Sequence, residues 1–150
     1  MKTVLFICTG NTCRSPMAEG LLVAALDESS SISVGSAGVA AMPGQSASRE
    51  TVAILKDRGA SMANFKSRQL DEDLAHEADL IIAMSSSHAD VLNRSLPAVG
   101  VNLLTDFIDP AEGLVDMDVP DPYGMSRAAY EEVGEVIELA IPGILKALDC

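Results

Sequence analysis

A cysteine and an arginine separated by five residues lie near the start of the chain, in the segment Cys8-Thr9-Gly10-Asn11-Thr12-Cys13-Arg14-Ser15. The peptide N–H groups of such a loop, with the start of a following helix, suit a phosphate dianion, and Gly10 lets the backbone approach it closely. Arg14 adds a planar guanidinium that can hold two phosphate oxygens. The same field favours the thiolate form of Cys8. The segment therefore predicts a phosphate-binding loop whose nucleophile, Cys8, needs no histidine base.

The residues around this loop predict a strand before it and a helix after it. The apolar run from Thr3 to Cys8 is typical of a strand buried on both faces. Ser15 can cap a helix in which Pro16 suits the first position, and apolar residues recur at helical spacing to about Glu28. The Cys-x5-Arg pattern also occurs by chance, and buried cysteines often serve packing alone. The order of strand, loop and helix favours the catalytic interpretation.

The rest of the chain alternates predicted strands with predicted helices. Further strands are expected at 31–36, 79–84 and 99–104. Helices are expected at 51–56, at 71–77, from the residues just after 85–87 to about residue 94, and at 130–148. A long surface loop is expected at 106–124. This order predicts an α/β fold, a three-layer sandwich with a four-stranded parallel sheet and helices on both faces, in a single domain over 1–150. Ligands bind beyond the carboxyl ends of parallel strands, which is where the cysteine loop lies.

Composition limits the partners that the chain can have. Its 150 residues include 22 acidic and 10 basic ones, for a formal net charge of −12 and a pI near 4.3. This charge disfavours nucleic acid and anionic membranes as partners, so a bound anion must be held by local geometry. The apolar runs are too short for a membrane span or a secretory signal. We therefore expect a cytoplasmic protein whose three cysteines are free thiols.

Three motifs, in order and spread over nearly the whole chain, resemble the low-molecular-weight protein tyrosine phosphatase family, including its protein-arginine phosphatase branch. They are CTGNTCRSP at the loop, Ser36-Ala37-Gly38 after the second predicted strand, and Asp121-Pro122-Tyr123-Gly124 before the last predicted helix. The resemblance implies a four-stranded parallel sheet with flanking helices and a phosphorylated protein as the substrate. It implies no cofactor and no metal.

The family motifs imply catalytic roles for three residues. Cys8 matches the nucleophile that forms a phosphocysteine intermediate, Arg14 the phosphate-binding arginine, and Asp121 the general acid on the Asp-Pro loop. A tyrosine phenolate is a poor leaving group, since its conjugate acid has a pKa of about 10, so the acid must protonate it and later act as base towards water. Asp109 also precedes a proline, but no Tyr-Gly follows, and we interpret it as a turn. Asp118 is interpreted as a solvated loop charge.

The same resemblance implies supporting roles around the loop. Ser15 matches the serine that hydrogen-bonds the thiolate, although it could be a helix cap alone. Asn11 and Ser36 match side chains that brace the loop. Cys13 matches a second cysteine that can form a protective disulfide with the nucleophile, and simple packing is an equal alternative. The predicted loop and its support comprise Thr9, Gly10, Asn11, Thr12, Cys13, Ser15 and Ser36.

The predicted wall of the substrate pocket departs from the tyrosine phosphatases. It comprises Thr12, Met42 and Tyr123, where those enzymes usually have isoleucine for Thr12 and often an aromatic residue near Met42. The arginine phosphatases resemble this chain in the threonine and in Gly124, which follows the aromatic residue. A hydroxyl suits a guanidinium better than a phenyl ring, so phosphoarginine is slightly favoured over phosphotyrosine. Phe65 stands where the family often has a histidine that braces the loop asparagine. The sequence therefore does not show which group braces Asn11 in this chain.

Two other classes of function are alternatives. Thioredoxin-coupled arsenate reductases share the fold and the loop, but they need a cysteine pair after the third strand, where this chain has Met84 and three serines. A non-catalytic phosphate-binding module would not need the nucleophile, the arginine and the acid together. His76 and His88 lie on segments interpreted as surface helix, so they do not predict a metal site. The oligomeric state is left open.

Overall fold

The computed structural model describes residues 2–62 and 64–148. In these residues the strands are β1 (Thr3–Cys8), β2 (Ser33–Gly38), β3 (Leu80–Ala83) and β4 (Asn102–Leu103). The α-helices are α1 (Arg14–Ala25), α2 (Arg49–Asp57), α3 (Glu72–Glu77), α4 (Ser86–Ser95) and α5 (Arg127–Ala147). Two 3-10 turns, Leu104–Phe107 and Pro110–Glu112, follow β4. Within the described ranges, no helix has the length and apolar character needed to cross a membrane.

The strands form one parallel sheet in the order β2-β1-β3-β4. Successive side chains of a strand point to opposite faces, and β1 is apolar on both. Val4 and Phe6 pack with residues of α1, α2 and α5, whereas Leu5 and Ile7 pack with residues of α3 and α4. The predicted three-layer sandwich is therefore confirmed. The loop that follows β1 lies at the carboxyl edge of the sheet, between its two central strands and α1.

Helix α1 begins at Arg14, one residue before the predicted cap. Cys13 occupies the N-cap position without a side-chain hydrogen bond to the helix, so the prediction that Ser15 caps the helix is wrong. The hydroxyl of Ser15 points instead towards the loop, where it contacts Cys8 Sγ and accepts a hydrogen bond from Asn11 Nδ2. The first turn of α1 is buried, which brings the positive end of the helix dipole directly to the loop.

Two elements end earlier than their apolar patterns predict, because side-chain carboxylates capture backbone N–H groups. Helix α1 ends at Ala25, since Asp27 accepts the N–H and the hydroxyl of Ser29, each at 3.0 Å, and starts a turn. Strand β4 begins at Asn102, later than predicted, and it ends at Leu103, since Asp106 Oδ2 accepts the N–H of Leu103 at 2.9 Å and the chain turns into a 3-10 conformation. The paired part of β4 is therefore only the stretch opposite the end of β3.

The predicted loop after β4 is tied back to the carboxyl edge of the sheet. The N–H of Val119 donates to the carbonyl of Met84 at 2.8 Å. Asp118 is exposed as predicted, but its carboxylate also accepts the N–H of Ser86 at 2.7 Å, at the start of α4. Asp109 accepts a backbone N–H two residues later and begins a 3-10 turn, as predicted. These contacts hold the segment that carries Asp121 against the cysteine loop.

Gly143 allows helix α5 to approach the 3-10 turn after β4. A Cβ atom at this position would collide with the backbone carbonyl of Phe107. Gly100 is the opposite case, because a Cβ atom there meets no heavy atom within 4 Å. The close approach therefore requires glycine in α5, although alanine is the better helix former.

We expect Gly143→Ala to lower the free energy of unfolding by about 1–3 kcal/mol, because the helix and the turn must move apart. Gly100→Ala, the matched control, should change it by less than about 0.5 kcal/mol. Urea denaturation followed by circular dichroism measures both values. A Gly143→Ala protein as stable as the wild type would contradict the requirement for glycine.

Candidate active site

Cys8 is the last residue of β1, and its side chain is buried with only 3% exposed. Its Sγ lies 2.8 Å from the hydroxyl oxygen of Ser15. Either atom can donate while the thiol is neutral, but only the hydroxyl can donate to a thiolate. The structure thus brings Ser15 to the sulfur, as the family resemblance implied.

The positive potential at the loop comes from the start of α1 and from Arg14. The first turn of α1 contains no acidic residue, so no carboxylate on it offsets the partial positive charge of the helix end. The guanidinium of Arg14 is buried, and its Nη1 donates to the carbonyl of Val119 at 3.0 Å. An anion in the loop therefore meets a helix end and an oriented guanidinium, even though the whole chain has a net charge of −12.

Asp121 faces the same arginine from the segment before α5. Its Oδ2 lies 3.7 Å from Nη2 of Arg14, and its Oδ1 accepts the N–H of Tyr123 at 3.1 Å. The side chain is 56% exposed, so it is open to water. A carboxyl group placed between the arginine and solvent can give a proton to a leaving group when it is protonated and take one from water when it is ionised.

Asn11 holds the middle of the loop from inside. Its backbone is in the left-handed region, with φ of 57°, a conformation that asparagine tolerates better than most residues. Its Nδ2 donates to the hydroxyls of Ser15 and Ser36, both at 2.9 Å. Its Oδ1 accepts the backbone N–H of Arg68 at 2.9 Å. The question raised by Phe65 is thereby answered, because a backbone donor braces the asparagine.

Glu19 and Arg68 extend this brace, and the sequence patterns had not indicated either residue. Ser36 donates its hydroxyl proton to Glu19 Oε1 at 2.6 Å, and Arg68 Nε donates to the Ser36 carbonyl at 2.9 Å. Burial raises the pKa of Glu19, while the Ser36 hydroxyl and the Arg68 charge oppose that change. The spacing of Ser15 and Glu19, one helical turn apart, was the available signal. It places both on the loop side of α1.

His88 is not a surface residue, which corrects the sequence interpretation. Its ring is buried, with Nε2 2.8 Å from the Thr9 hydroxyl and Nδ1 2.9 Å from the Ser85 hydroxyl. Burial, followed by the nearby charge of Arg14, lowers the pKa of His88 to about 4. The first turn of α4 points this side chain at the loop instead of at solvent. His76, by contrast, is exposed beside Glu72, as predicted.

A cavity of about 330 Å³ opens over the loop. Its lining residues are Cys8, Thr9, Gly10, Thr12, Cys13, Arg14, Ala40, Met42, Gln45, Asp121 and Tyr123. The predicted wall residues Thr12, Met42 and Tyr123 are thus brought together, and the latter two are largely exposed at the rim. Sequence reasoning missed Ala40 and Gln45. Their position after the carboxyl end of β2 was the signal that could have found them.

Cys13 packs against the last helix. Its Sγ lies 3.5 Å from the hydroxyl of Tyr130, and both atoms are buried. Burial, followed by this contact, raises the pKa of Tyr130 to about 12. Cys8 and Cys13 are both free thiols in the structure. The contact with Tyr130 fits the packing alternative, and a disulfide between the two cysteines stays a prediction.

A thiolate needs no histidine base when a helix end, loop amides and a guanidinium stabilise negative charge in the same place. In an α/β protein this arrangement is typical of cysteine-based phosphatases. The chain belongs to the low molecular weight phosphotyrosine protein phosphatase family, whose model matches residues 3–150. It is accordingly a protein phosphatase, a hydrolase of the kind that acts on phosphorylated proteins.

Relatives with two stated substrate classes are similar to this chain. A low molecular weight protein-tyrosine-phosphatase of Streptomyces coelicolor is 37% identical, over 97% of this chain and 92% of that protein. The YwlE arginine phosphatase from Geobacillus stearothermophilus has a structure with a TM-score of 0.89 and 32% identity, over 99% of this chain and 94% of that one. A YwlE mutant with a phosphorylated active-site serine gives a TM-score of 0.88 and 32% identity, over 98% and 95% of the two chains.

The lowered pKa of His88 predicts a loss of stability in mild acid. The unfolded chain takes up this proton below about pH 6.5, and the folded chain only near pH 4, so the free energy of unfolding falls as the pH drops through that interval. We expect His88 to account for a loss on the order of 2 kcal/mol between pH 7.5 and 5. Glu19 works in the opposite direction, since its raised pKa makes the folded chain bind its proton more readily.

Urea denaturation at pH 7.5 and at pH 5 measures this loss. In His88→Gln the loss should be smaller than in the wild type, whereas His76→Gln, which replaces an exposed histidine, should keep it. The contribution of Glu19 is common to all three proteins and cancels in the comparison. Equal losses in the wild type and His88→Gln would show that His88 is not the group involved.

Proposed function

We propose that this chain removes phosphoryl groups from protein side chains through a phosphocysteine at Cys8. The observation that carries the proposal is the 2.8 Å contact between Cys8 Sγ and the Ser15 hydroxyl, at a buried helix end beside Arg14. That contact stabilises a thiolate at the position where a bound phosphate would present its phosphorus. The phosphorylated active-site serine in the related YwlE structure supports a covalent phosphoenzyme.

In the first step the Cys8 thiolate attacks phosphorus, and the bond from phosphorus to the leaving oxygen or nitrogen breaks. Asp121 gives its proton to that leaving atom. In the second step water gives a proton to the Asp121 carboxylate and attacks phosphorus, and the phosphorus–sulfur bond breaks. Inorganic phosphate leaves and the thiolate is regenerated. Arg14 and the loop N–H groups hold the equatorial oxygens in both steps, where negative charge is greatest.

We infer phosphoarginine as the slightly favoured substrate over phosphotyrosine. The hydroxyl of Thr12 lines the cavity, and its contact with a protein group is a long one of 3.8 Å, to Cys13 Sγ. It is therefore available to accept a hydrogen bond from a guanidinium N–H, which a phenyl ring cannot donate. Met42 adds a flexible apolar side chain at the rim, which fits the methylene stem of an arginine. Relatives of both substrate classes are similar to this chain, so the choice rests on Thr12 and Met42.

Parallel assays of phosphate release from a phosphoarginine protein and a phosphotyrosine peptide test the proposal. Cys8→Ser serves as the blank, since it should bind phosphate without turnover. Faster release from phosphoarginine supports the substrate assignment, and faster release from phosphotyrosine overturns it. Absence of release from both would overturn the proposal and leave phosphate binding without turnover, or arsenate reduction, as the alternative functions.

We expect Thr12→Ile to lower kcat/KM for phosphoarginine about tenfold and to leave phosphotyrosine hydrolysis equal or faster, because the hydroxyl that accepts the hydrogen bond is replaced by an apolar ethyl group. Thr12→Ser keeps the hydroxyl and should keep the preference for phosphoarginine. The ratio of the two kcat/KM values is the measurement. A ratio that Thr12→Ile leaves unchanged would remove Thr12 from substrate selection.

We expect Asp121→Asn to slow hydrolysis of a phosphotyrosine peptide by about 10²-fold or more, because the phenolate leaves without a proton. The amide oxygen can still accept the N–H of Tyr123, so the local fold is kept. The same variant should affect p-nitrophenyl phosphate less than tenfold, since that leaving group needs little protonation. Asp109→Asn, at the other Asp-Pro pair, is the control and should affect neither substrate. Equal slowing of both substrates by Asp121→Asn would exclude Asp121 as the acid.

A further inference from the structure

The Thr9 side chain is held by a residue that the catalytic steps above do not use. Thr9 is the first loop residue after the nucleophile and lines the cavity. Its carbonyl accepts the N–H of Ala40 at 3.0 Å, and its hydroxyl lies 2.8 Å from His88 Nε2. Asn11 holds the loop from the side of β2, whereas His88 reaches it from the side of β3 and α4. The two contacts therefore brace opposite flanks of the loop.

The ring of His88 is itself fixed on its other side. Its Nδ1 lies 2.9 Å from the Ser85 hydroxyl, which in turn lies 2.8 Å from the Ser87 hydroxyl. The N–H at the start of α4, from Ser86, donates to Asp118. The helix that carries His88 is thus tied to the segment that carries Asp121. A hydrogen bond between such a fixed ring and Thr9 gives the loop a rigid anchor.

The charges around the ring favour its neutral form. Arg14 is the nearby cation, and its charge acts with burial against a second positive charge on His88, while Asp118 and Asp121 act in the opposite direction. A neutral imidazole has one donor and one acceptor, and both of its partners are hydroxyls that can adopt either role. The ring can therefore hydrogen-bond to Thr9 and to Ser85 at the same time. Because it is uncharged, it does not compete with Arg14 for an anion.

We propose that His88 is a positioning residue for phosphate binding: through the Thr9 hydroxyl it holds the first turn of the loop in the shape that its N–H groups need to receive a phosphoryl group. The inference rests on the phosphate-binding role proposed above for the loop. His88 does not line the cavity over the loop, whereas Thr9 does, so it acts through Thr9. Its loss weakens phosphate binding by relaxing a loop that the wild type holds ready.

Two substitutions of His88 test its contact with Thr9 separately from its contact with Ser85. In His88→Gln the side-chain amide can reach the place of Nε2 and bond Thr9, whereas in His88→Asn the shorter amide reaches only the place of Nδ1 and bonds Ser85. Both replace a buried ring by a smaller amide, so both lose packing. A purely structural role of His88 predicts similar effects of the two variants on the loop, or a larger effect of the one that unfolds more easily.

The readout is protection of Cys8 from iodoacetamide by inorganic phosphate, followed by mass spectrometry of the Cys8 peptide. We expect the phosphate concentration for half-protection to rise about fivefold to tenfold in His88→Asn and to stay within about twofold of wild type in His88→Gln. Thermal unfolding of each variant reports its stability separately. Because the readout needs no turnover, a chain that hydrolyses no phosphoprotein would overturn the proposed activity and still give a result for His88.

Thr9→Val provides a second test that leaves the buried ring in place. It removes the hydroxyl from an exposed residue and should raise the half-protection concentration by the same factor as His88→Asn. The double variant Thr9→Val/His88→Asn should be no worse than the more affected single variant, since both remove one interaction. Equal effects of the Asn and Gln variants, an unaffected Thr9→Val protein, or additive effects in the double variant would each overturn the proposal.

Discussion

The left-handed backbone of Asn11 is the constraint on which the site depends. A chain that leaves β1 must reverse direction within five residues so that its N–H groups point inward and α1 begins at Arg14. Asn11 reverses the chain direction with a φ of 57°. Its side-chain amide stabilises this conformation by hydrogen bonds to two hydroxyls and one backbone N–H. Since the asparagine is fully buried, loss of the Arg68 bond would leave Oδ1 without a partner in the core, and loss of either hydroxyl would leave one of the two Nδ2 hydrogens unpaired.

Local arrangement outweighs overall charge in this protein. The formal charge of −12 would repel an anion at a distance, yet the first turn of α1 is free of carboxylates and Arg14 is buried beside it. Buried charges interact through a lower effective dielectric and are screened less by salt than exposed ones. The attraction at the loop therefore acts over a few ångströms, while the acidic surface governs approach from further away.

Local sequence signals predicted the parts of the fold and the site that depend on short stretches of chain. The strand before Cys8, the loop and the start of α1 are contiguous, so their order was readable from residue types alone. The sequence allowed two interpretations of Ser15, as a helix cap or as a hydrogen-bond donor to the thiolate. Only the folded structure decides between them, because it places the hydroxyl next to Cys8 Sγ. Glu19 had one local signal, its spacing of one helical turn from Ser15, but Arg68 and His88 had none. Both reach the loop through contacts between parts of the chain that are distant in sequence, so each looks like a surface residue in the sequence.

The position of Asp121 opposite Arg14 gives the unliganded site an anion of its own. Its Oδ2 lies 3.7 Å from Arg14 Nη2, on the guanidinium that a phosphoryl group would also approach. A phosphoryl group that enters the loop must therefore displace the Asp121 carboxylate from part of the Arg14 guanidinium. It does not meet a guanidinium without a neighbouring negative charge. The same exchange runs in reverse when inorganic phosphate departs, because the carboxylate returns to the guanidinium as the product leaves. In the proposed hydrolysis the Asp121 carboxylate thus competes with inorganic phosphate for the Arg14 guanidinium, which favours release of the product.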